Sequence, residues 1–391
     1  MRTLLVTGPG GSGRTTVAAA TALAAARSGH RTLVLSADRT DTLGVVLGGT
    51  DAHPGLTARR LAPDDRFRDD LAALQDRAAS ALDLLGAERL DTEELTPLPG
   101  AEELALLRAL RDAAGGRDAA YDTVVVDLPP APKALAVLAL PEQLRRYLRR
   151  LLPPERQAAR ALRPMLGRLA GVPMPAAWLY ETAARWEDDL AATQAVIEAP
   201  TTTVRLVAEP GPAGADALDA AVTGLALQGL RADLLVANRL LPDASTDTWL
   251  AALSAQQHKT LAEWETAHDH VARVRHLGHD PRGADDLTAL GLPPAPAPAE
   301  APVPVQWPVT AAPAGEESHA YVWHIPLPGV VREELGLIRR GDELVVTAGP
   351  FRRIVALPSA LRRCTVAGAG LRDGELRVRF APDPGLWPQE R

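Results

Sequence analysis

Cysteine is almost absent from this chain. A single thiol, Cys364, in 391 residues excludes a disulfide framework and any cysteine-built zinc site within one subunit. Lysine is nearly as scarce: Lys133 and Lys259 are the only two, and the other basic side chains are arginine. An arginine standing where lysine is customary therefore has to be weighed against a chain-wide preference. No run approaches the roughly 18 consecutive apolar residues that span a bilayer, and no basic leader with an apolar run and cleavage site opens the sequence, so the expected location is cytoplasmic. Positive charge is short too. The formal net charge of −7 speaks against general affinity for nucleic acid or anionic lipid, which leaves small molecules and proteins as the expected partners.

What is abundant is alanine, leucine and proline, arranged in a clear order. An apolar run, Leu4 to Thr7, leads into a glycine-rich turn, an alanine-rich stretch from Thr15 to Ser28, and a second apolar run from Thr32 to Leu35. This reads as strand, loop, helix, strand, the start of a doubly wound, mostly parallel α/β sheet. Thr123 to Val126, Thr203 to Val207 and Leu234 to Ala237 are further buried-strand candidates. The longest helical insert runs from about residue 134 to 198, with Leu138, Leu144, Leu148, Leu151 and Leu152 at helical spacing. Such leucines serve either as ordinary core or as a groove.

At Gly291 the composition turns to proline and alanine, so residues 291–318 read as an interdomain linker after a first domain of residues 1–290. Beyond it, within 319–382, Tyr321 to Ile325, Glu343 to Thr347, Arg353 to Ala356 and Glu375 to Phe380 alternate in character. Turn signals at Arg340-Gly341-Asp342, Gly349-Pro350 and Arg372-Asp373-Gly374 separate them, which predicts a small β-sandwich.

Residues Gly8 to Thr16 read GPGGSGRTT between the first strand and first helix. Backbone N–H groups of Gly10, Gly11, Ser12 and Gly13, with the helix N-terminus at Arg14, Thr15 and Thr16, would converge on a polyphosphate. Glycine permits the close approach. The plain alternative is a glycine-rich turn and nothing more. Thr15 stands where a phosphate-binding loop uses a hydroxyl to ligate Mg²⁺, but Arg14 replaces the usual lysine with a longer planar fork.

These residues, together with four segments in matching order, resemble the arsenite-pump and tail-anchored-protein targeting ATPase family, whose deviant loop is GKGGVGKTT. Pro9 replaces the first lysine of that pattern, which reaches across a dimer, and offers neither a cation nor an N–H. Ser36 to Leu43 (SADRTDTL) is similar to the first switch, STDPAHSL, and keeps Asp38, implied to orient the attacking water. Pro99 to Glu103 resembles the PG-x-DE segment. Asp122 to Pro130, continuing to Pro141, resembles the second switch, with Asp127 implied to link to Mg²⁺. There Ala131-Pro132-Lys133 replaces the flexible Thr-Gly-His part. Val236 to Pro242 resembles VVNxLLP, with Asn238 implied to recognise adenine. Read alone, Asp38 and Asp127 are equally plain as caps after apolar strands.

The resemblance implies ATP or ADP with Mg²⁺ as cofactors, and a dimer formed with a second copy or with an intact paralogue. The retained residues are those that hold a nucleotide and metal; the replaced ones stabilise charge during phosphoryl transfer. The expectation is weak nucleotide binding with little or no hydrolysis, in the regulatory half of a targeting or chaperone-like complex. A protein client is implied. The family's intersubunit zinc clasp and the pump's arsenite site both use cysteines that this chain lacks. The C-terminal segment, from Leu327-Pro328-Gly329-Val330 to Asp373-Gly374-Glu375-Leu376-Arg377-Val378, is similar to the α-crystallin domain of small heat-shock proteins. Its sheet edges would pair with extended peptides, or the domain would dock onto its own ATPase core.

Overall fold

The computed structural model describes residues 1–38, 40–49, 52–77, 90–91, 94–96, 99–115, 121–152, 177–295, 307–311, 320–383 and 385. Met165 and Met174 of the insert lie outside them.

The first domain is built on a seven-stranded parallel sheet. Its strands are β1 (Arg2–Thr7), β2 (Thr32–Ser36), β3 (Leu56–Arg60), β4 (Thr123–Asp127), β5 (Thr202–Ala208), β6 (Ala232–Leu240) and β7 (Val271–Arg275), in the order β3-β2-β4-β1-β5-β6-β7. Strands β1, β2, β4 and β5 are buried at every residue, because helices cover both faces. On one face Leu4, Val6, Val34, Val125, Val207 and Val236 meet α1 (Arg14–Arg27) and α2 (Thr42–Leu47). After α3 (Pro63–Arg77), the other face is covered by α4 (Ala101–Gly115), α5 (Ala131–Leu151), α6 (Ala177–Glu198) and α7 (Pro212–Gln228). Helices α8 (Thr248–Ala267) and α9 (Gly283–Ala289) flank β6 and β7 in sequence and complete this domain. The five sequence-predicted strands are all present. The sequence reading missed β3 and β7, the two edges, where arginines, all but Arg59 exposed, interrupt the apolar run.

Register is what positions the site. Val6 on β1 pairs with Asp127 on β4, and Ser36 on β2 pairs with that same Asp127. The carboxyl ends of three adjacent strands therefore finish level, beside the point where the strand order reverses.

The insert's leucines divide. Leu135 and Leu138 are buried, Leu144 and Leu148 are half-buried, and Leu151 is 78% exposed. Helices α5 and α6 are tied by Arg145, which bonds Glu187 at 3.0 Å and Gln194 at 2.7 Å. Among the described residues no helix is long and apolar enough to cross a membrane.

The C-terminal unit is a two-sheet antiparallel sandwich. A three-stranded sheet of β10 (Leu335–Arg340), β11 (Glu343–Ala348) and β12 (Phe351–Ala356) faces a four-stranded one. The latter is ordered β13-β14-β9-β8, from β8 (Val309–Ala311), β9 (Tyr321–Pro326), β13 (Cys364–Arg372) and β14 (Glu375–Pro382). Alternation makes the core: Leu376, Val378 and Phe380 point in while Arg377 and Arg379 point out. Two differences from the sequence reading concern the linker. Val309–Ala311 pairs with β9, and Trp307 packs edge-on against Trp323 at 5.9 Å, so part of the proline-rich stretch belongs to the sandwich. At the other end Leu292 is buried in the first domain's core.

The sandwich docks on α5 and α7. Arg146 on α5 pairs with Glu343 at 2.7 Å, Arg353 on β12 reaches Glu142 at 3.2 Å and the Leu227 carbonyl at 3.1 Å, and Thr223 donates to the Pro328 carbonyl. Gly224 lies where these surfaces close. A Cβ there would fall 2.4 Å from Leu135 and 2.9 Å from Phe351.

Candidate functional site

The loop after β1 is shaped by what glycine permits. A Cβ on Gly8 would fall 1.9 Å from the Val207 carbonyl oxygen of β5, so only glycine lets the strands stay paired at that point. Gly11 and Gly13 sit at φ 78° and 89°, in the left-handed region. Two side chains from β6 clamp the loop from beneath. Asn238 donates to the Ser12 carbonyl at 2.7 Å, and Arg239 donates to the Gly11 carbonyl at 2.9 Å. Ser12 also turns its hydroxyl back to the Pro9 carbonyl at 2.9 Å. Carbonyls are thereby drawn below the loop. Among the described residues no side chain caps α1, whose N-terminus begins at Arg14. A Cβ on Gly10 or Gly11 would meet nothing within 4 Å, so the upper side is open. Exposed donors at a helix N-terminus suit an anion.

Beside the loop lies Asp127, only 7% exposed. Its Oδ2 accepts from the Thr15 hydroxyl at 2.8 Å and from the Ser36 hydroxyl at 3.1 Å. Burial pushes this carboxyl above the usual range. Thr15, the positive charge of Arg14 and Ser36 oppose the shift without cancelling it. A buried carboxylate with a threonine hydroxyl alongside is a hard-oxygen pair of the kind Mg²⁺ accepts when phosphate oxygens complete the shell. The residues present fit that metal.

Asp38 sits at the end of β2 with a different environment. Its carboxylate accepts from the Thr40 N–H at 3.1 Å, the Thr40 hydroxyl at 3.0 Å and the Thr42 hydroxyl at 2.6 Å. Burial is the largest single influence and acts upward. The bonds from Thr42 and Thr40, with Arg14 nearby, outweigh it and hold this carboxyl below the ordinary value. Arg14 itself donates from Nη1 to the Leu128 carbonyl. Burial lowers its pKa, and Asp127 and Asp38 act to raise it.

A cavity of about 360 Å³ joins Arg14, Thr15, Asp38 and Asp127 to Glu102, Glu103 and Lys133. Lys133 pairs with Glu103 at 3.1 Å and Glu102 at 3.4 Å across its mouth. The bridge is absent from the sequence reading, which noted Pro99 to Glu103 only for its resemblance to the PG-x-DE segment. The one available signal was that one of the chain's two lysines falls just after β4. A second cavity, of about 250 Å³, runs from Thr16 and Asn238 to His276 and Arg282. Of the sequence-predicted residues, Gly10 to Thr16, Asp38, Asp127 and Asn238 thus gather at one end of the sheet. Asn238 spends its amide N–H on the loop in this structure.

The family model for anion-transporting ATPases matches residues 1–292, and the model of an HSP20-like domain found in such proteins matches 318–380. The chain belongs to the anion-transporting ATPase family. This ATPase-family chain is 68% identical to a protein of Streptomyces coelicolor, with all of each chain covered. It is 32% identical to a protein of Mycobacterium tuberculosis, over 99% of this chain and 97% of the other. A putative arsenical pump-driving ATPase of Aquifex aeolicus is 24% identical over 97% of this chain and 99% of its own. The family-level resemblance of both domains is therefore borne out.

Proposed function

We propose that this family member binds a magnesium nucleotide weakly at the Gly8–Thr16 loop, hydrolyses it slowly or not at all, and works as the regulatory half of a dimer. The observation that carries this reading is the contrast between Thr15 and Arg14. Thr15 stands 2.8 Å from a buried Asp127, while Arg14 is turned to the Leu128 carbonyl. The metal-holding pair is assembled; the cation that would balance charge on a transferring phosphoryl group is bonded to the protein instead.

Loop N–H groups would hold the phosphates, Thr15 and Asp127 the Mg²⁺, and the cavity beside Thr16 and Asn238 would take the nucleoside. The metal, when bound, would shield phosphate charge. Asp38, already accepting from Thr40 and Thr42, would orient a water through the remaining lone pair of its carboxylate. Pro9 removes the contribution to a partner's site, whether that partner is a second copy or an intact paralogue. The docked sandwich and helical insert would meet a protein client in a targeting or chaperone-like complex, in the cytosol.

The test is thermal unfolding with Mg²⁺-ATP alongside a phosphate-release assay. At a hundredfold the dissociation constant, bound nucleotide should stabilise by about 2.7 kcal/mol. Stabilisation without release supports the reading. Brisk release that vanishes in Asp38→Asn would replace it with an active ATPase using Arg14, and no stabilisation would leave a nucleotide-free scaffold.

A further inference from the structure

Lys133 is one of two lysines in the chain, and it stands where its own helix does not favour it. It lies in the first turn of α5, just after Asp127-Leu128-Pro129-Pro130, where the positive end of the helix dipole disfavours a cation. What holds it is the first turn of α4, where acidic side chains are favoured. Glu103 meets its ammonium at 3.1 Å and Glu102 at 3.4 Å. The hydrogen bond to Glu103 leads in raising the lysine pKa above its ordinary value, so the group stays charged. The bridge is nevertheless open to exchange. Its lysine side chain is 48% exposed, a setting in which an ion pair contributes little net stability.

The same three side chains line the cavity that holds Arg14, Thr15, Asp38 and Asp127. Among the described residues around it, the carboxylates of Asp38, Glu102, Glu103 and Asp127 stand against the cations of Arg14 and Lys133. A phosphate entering there needs positive charge that can come to it. Arg14 is bonded to the Leu128 backbone carbonyl. Lys133 is met by side chains at the mouth, and its flexible four-carbon stem can swing the ammonium inward. Of the two cations it is the one placed to move.

Resting on the nucleotide reading above, we propose that Lys133 is the residue that tells a bound triphosphate from a diphosphate. With the nucleoside beside Thr16 and Asn238, the far end of the phosphate chain would enter the cavity between Asp38 and Asp127, and a triphosphate would carry its terminal group towards Lys133. The ammonium would leave Glu102 and Glu103 for the phosphate oxygens, exchanging one set of charge-assisted bonds for another. A diphosphate ends one group short and leaves the bridge closed. Lys133 on this account recognises the bound nucleotide and adds no step to its hydrolysis.

The scarcity of lysine makes the test spectroscopic. Reductive methylation of the full chain with isotopically labelled formaldehyde marks Lys133, Lys259 and the amino terminus while keeping both lysines charged, and the signal lost in Lys133→Arg identifies the first. Saturating Mg²⁺-ATP should shift the Lys133 signal, Mg²⁺-ADP should leave it near its starting position, and the signal of Lys259, exposed on α8, should stay still with both. In unlabelled protein, the ratio of ATP to ADP affinity by calorimetry should fall roughly tenfold in Lys133→Met, the scale of one charge-assisted hydrogen bond. If Mg²⁺-ATP stabilises the chain against heat while the Lys133 signal stays still, or ADP moves it as far, or the ratio is unchanged in Lys133→Met, the role of Lys133 is overturned and nucleotide binding stands. If neither nucleotide stabilises the chain, nucleotide binding itself fails and the role of Lys133 fails with it.

Discussion

The two ends of the seven-stranded sheet handle buried charge in opposite ways. At the carboxyl end Asp127 is bonded by Thr15 and Ser36, and one arginine, Arg14, answers both Asp127 and Asp38. At the amino end Arg2 and Arg205 share one carboxylate, Asp233, and polar atoms are left over. A cluster whose carboxylates are met by hydroxyl and backbone donors is held in place before any ligand arrives. An unbalanced one is costly to hold.

The contrast breaks most visibly if Asp233 is removed. Asp233→Ala leaves two buried guanidinium groups without a carboxylate and should cost about 3 to 5 kcal/mol, read as a lower urea midpoint at unchanged slope. A loss under 1 kcal/mol would mean that water already neutralises that end. Gly8→Ala probes the loop end through backbone packing. The new methyl meets the Val207 carbonyl, and a cost of about 1 to 3 kcal/mol is expected in the same measurement.

pH sharpens the comparison within the loop end. Asp127 has a raised folded pKa, so its ionisation burdens the fold. The stability of the unaltered chain relative to Asp127→Asn should fall as pH rises above about 4, the ordinary carboxyl value. Asp38 has a lowered folded pKa, so the chain should lose stability relative to Asp38→Asn as pH falls below that value. Parallel pH curves for the two variants would contradict the assigned environments. The smallest effect belongs to Ser36→Ala, which removes one of two hydroxyls from Asp127 and should cost about 1 kcal/mol by chemical denaturation.

Much of this was legible in the residues themselves. Central strands show because burial on both faces demands an unbroken apolar run, as in Leu4 to Thr7 and Thr123 to Val126. The loop shows because its glycines, Thr15 and Thr16 are contiguous. The edge strands did not show, since Arg60, Arg273 and Arg275 are exposed and Arg59 is half-buried, which breaks the apolar run. Strand β13 hid for a related reason: Ala367, Gly368, Ala369 and Gly370 carry almost no side chain to alternate. Hardest of all were pairings between distant residues. The Lys133 bridge to Glu102 and Glu103, the Arg2–Arg205–Asp233 cluster and the grip of Asn238 on Ser12 exist only once the sheet has set their neighbours.

Gly224, finally, says something about how the tail can be treated in the laboratory or by a protease. Phe351 reaches so far into α7 that a side chain at position 224 has nowhere to go, and Leu135 lies against the same spot. Cutting the chain ahead of the sandwich would strip that covering away and leave a bare greasy strip along α5 and α7, inviting clumping. The two units should therefore melt together, and a truncated ATPase half should be judged as a damaged molecule before it is judged as a simpler one.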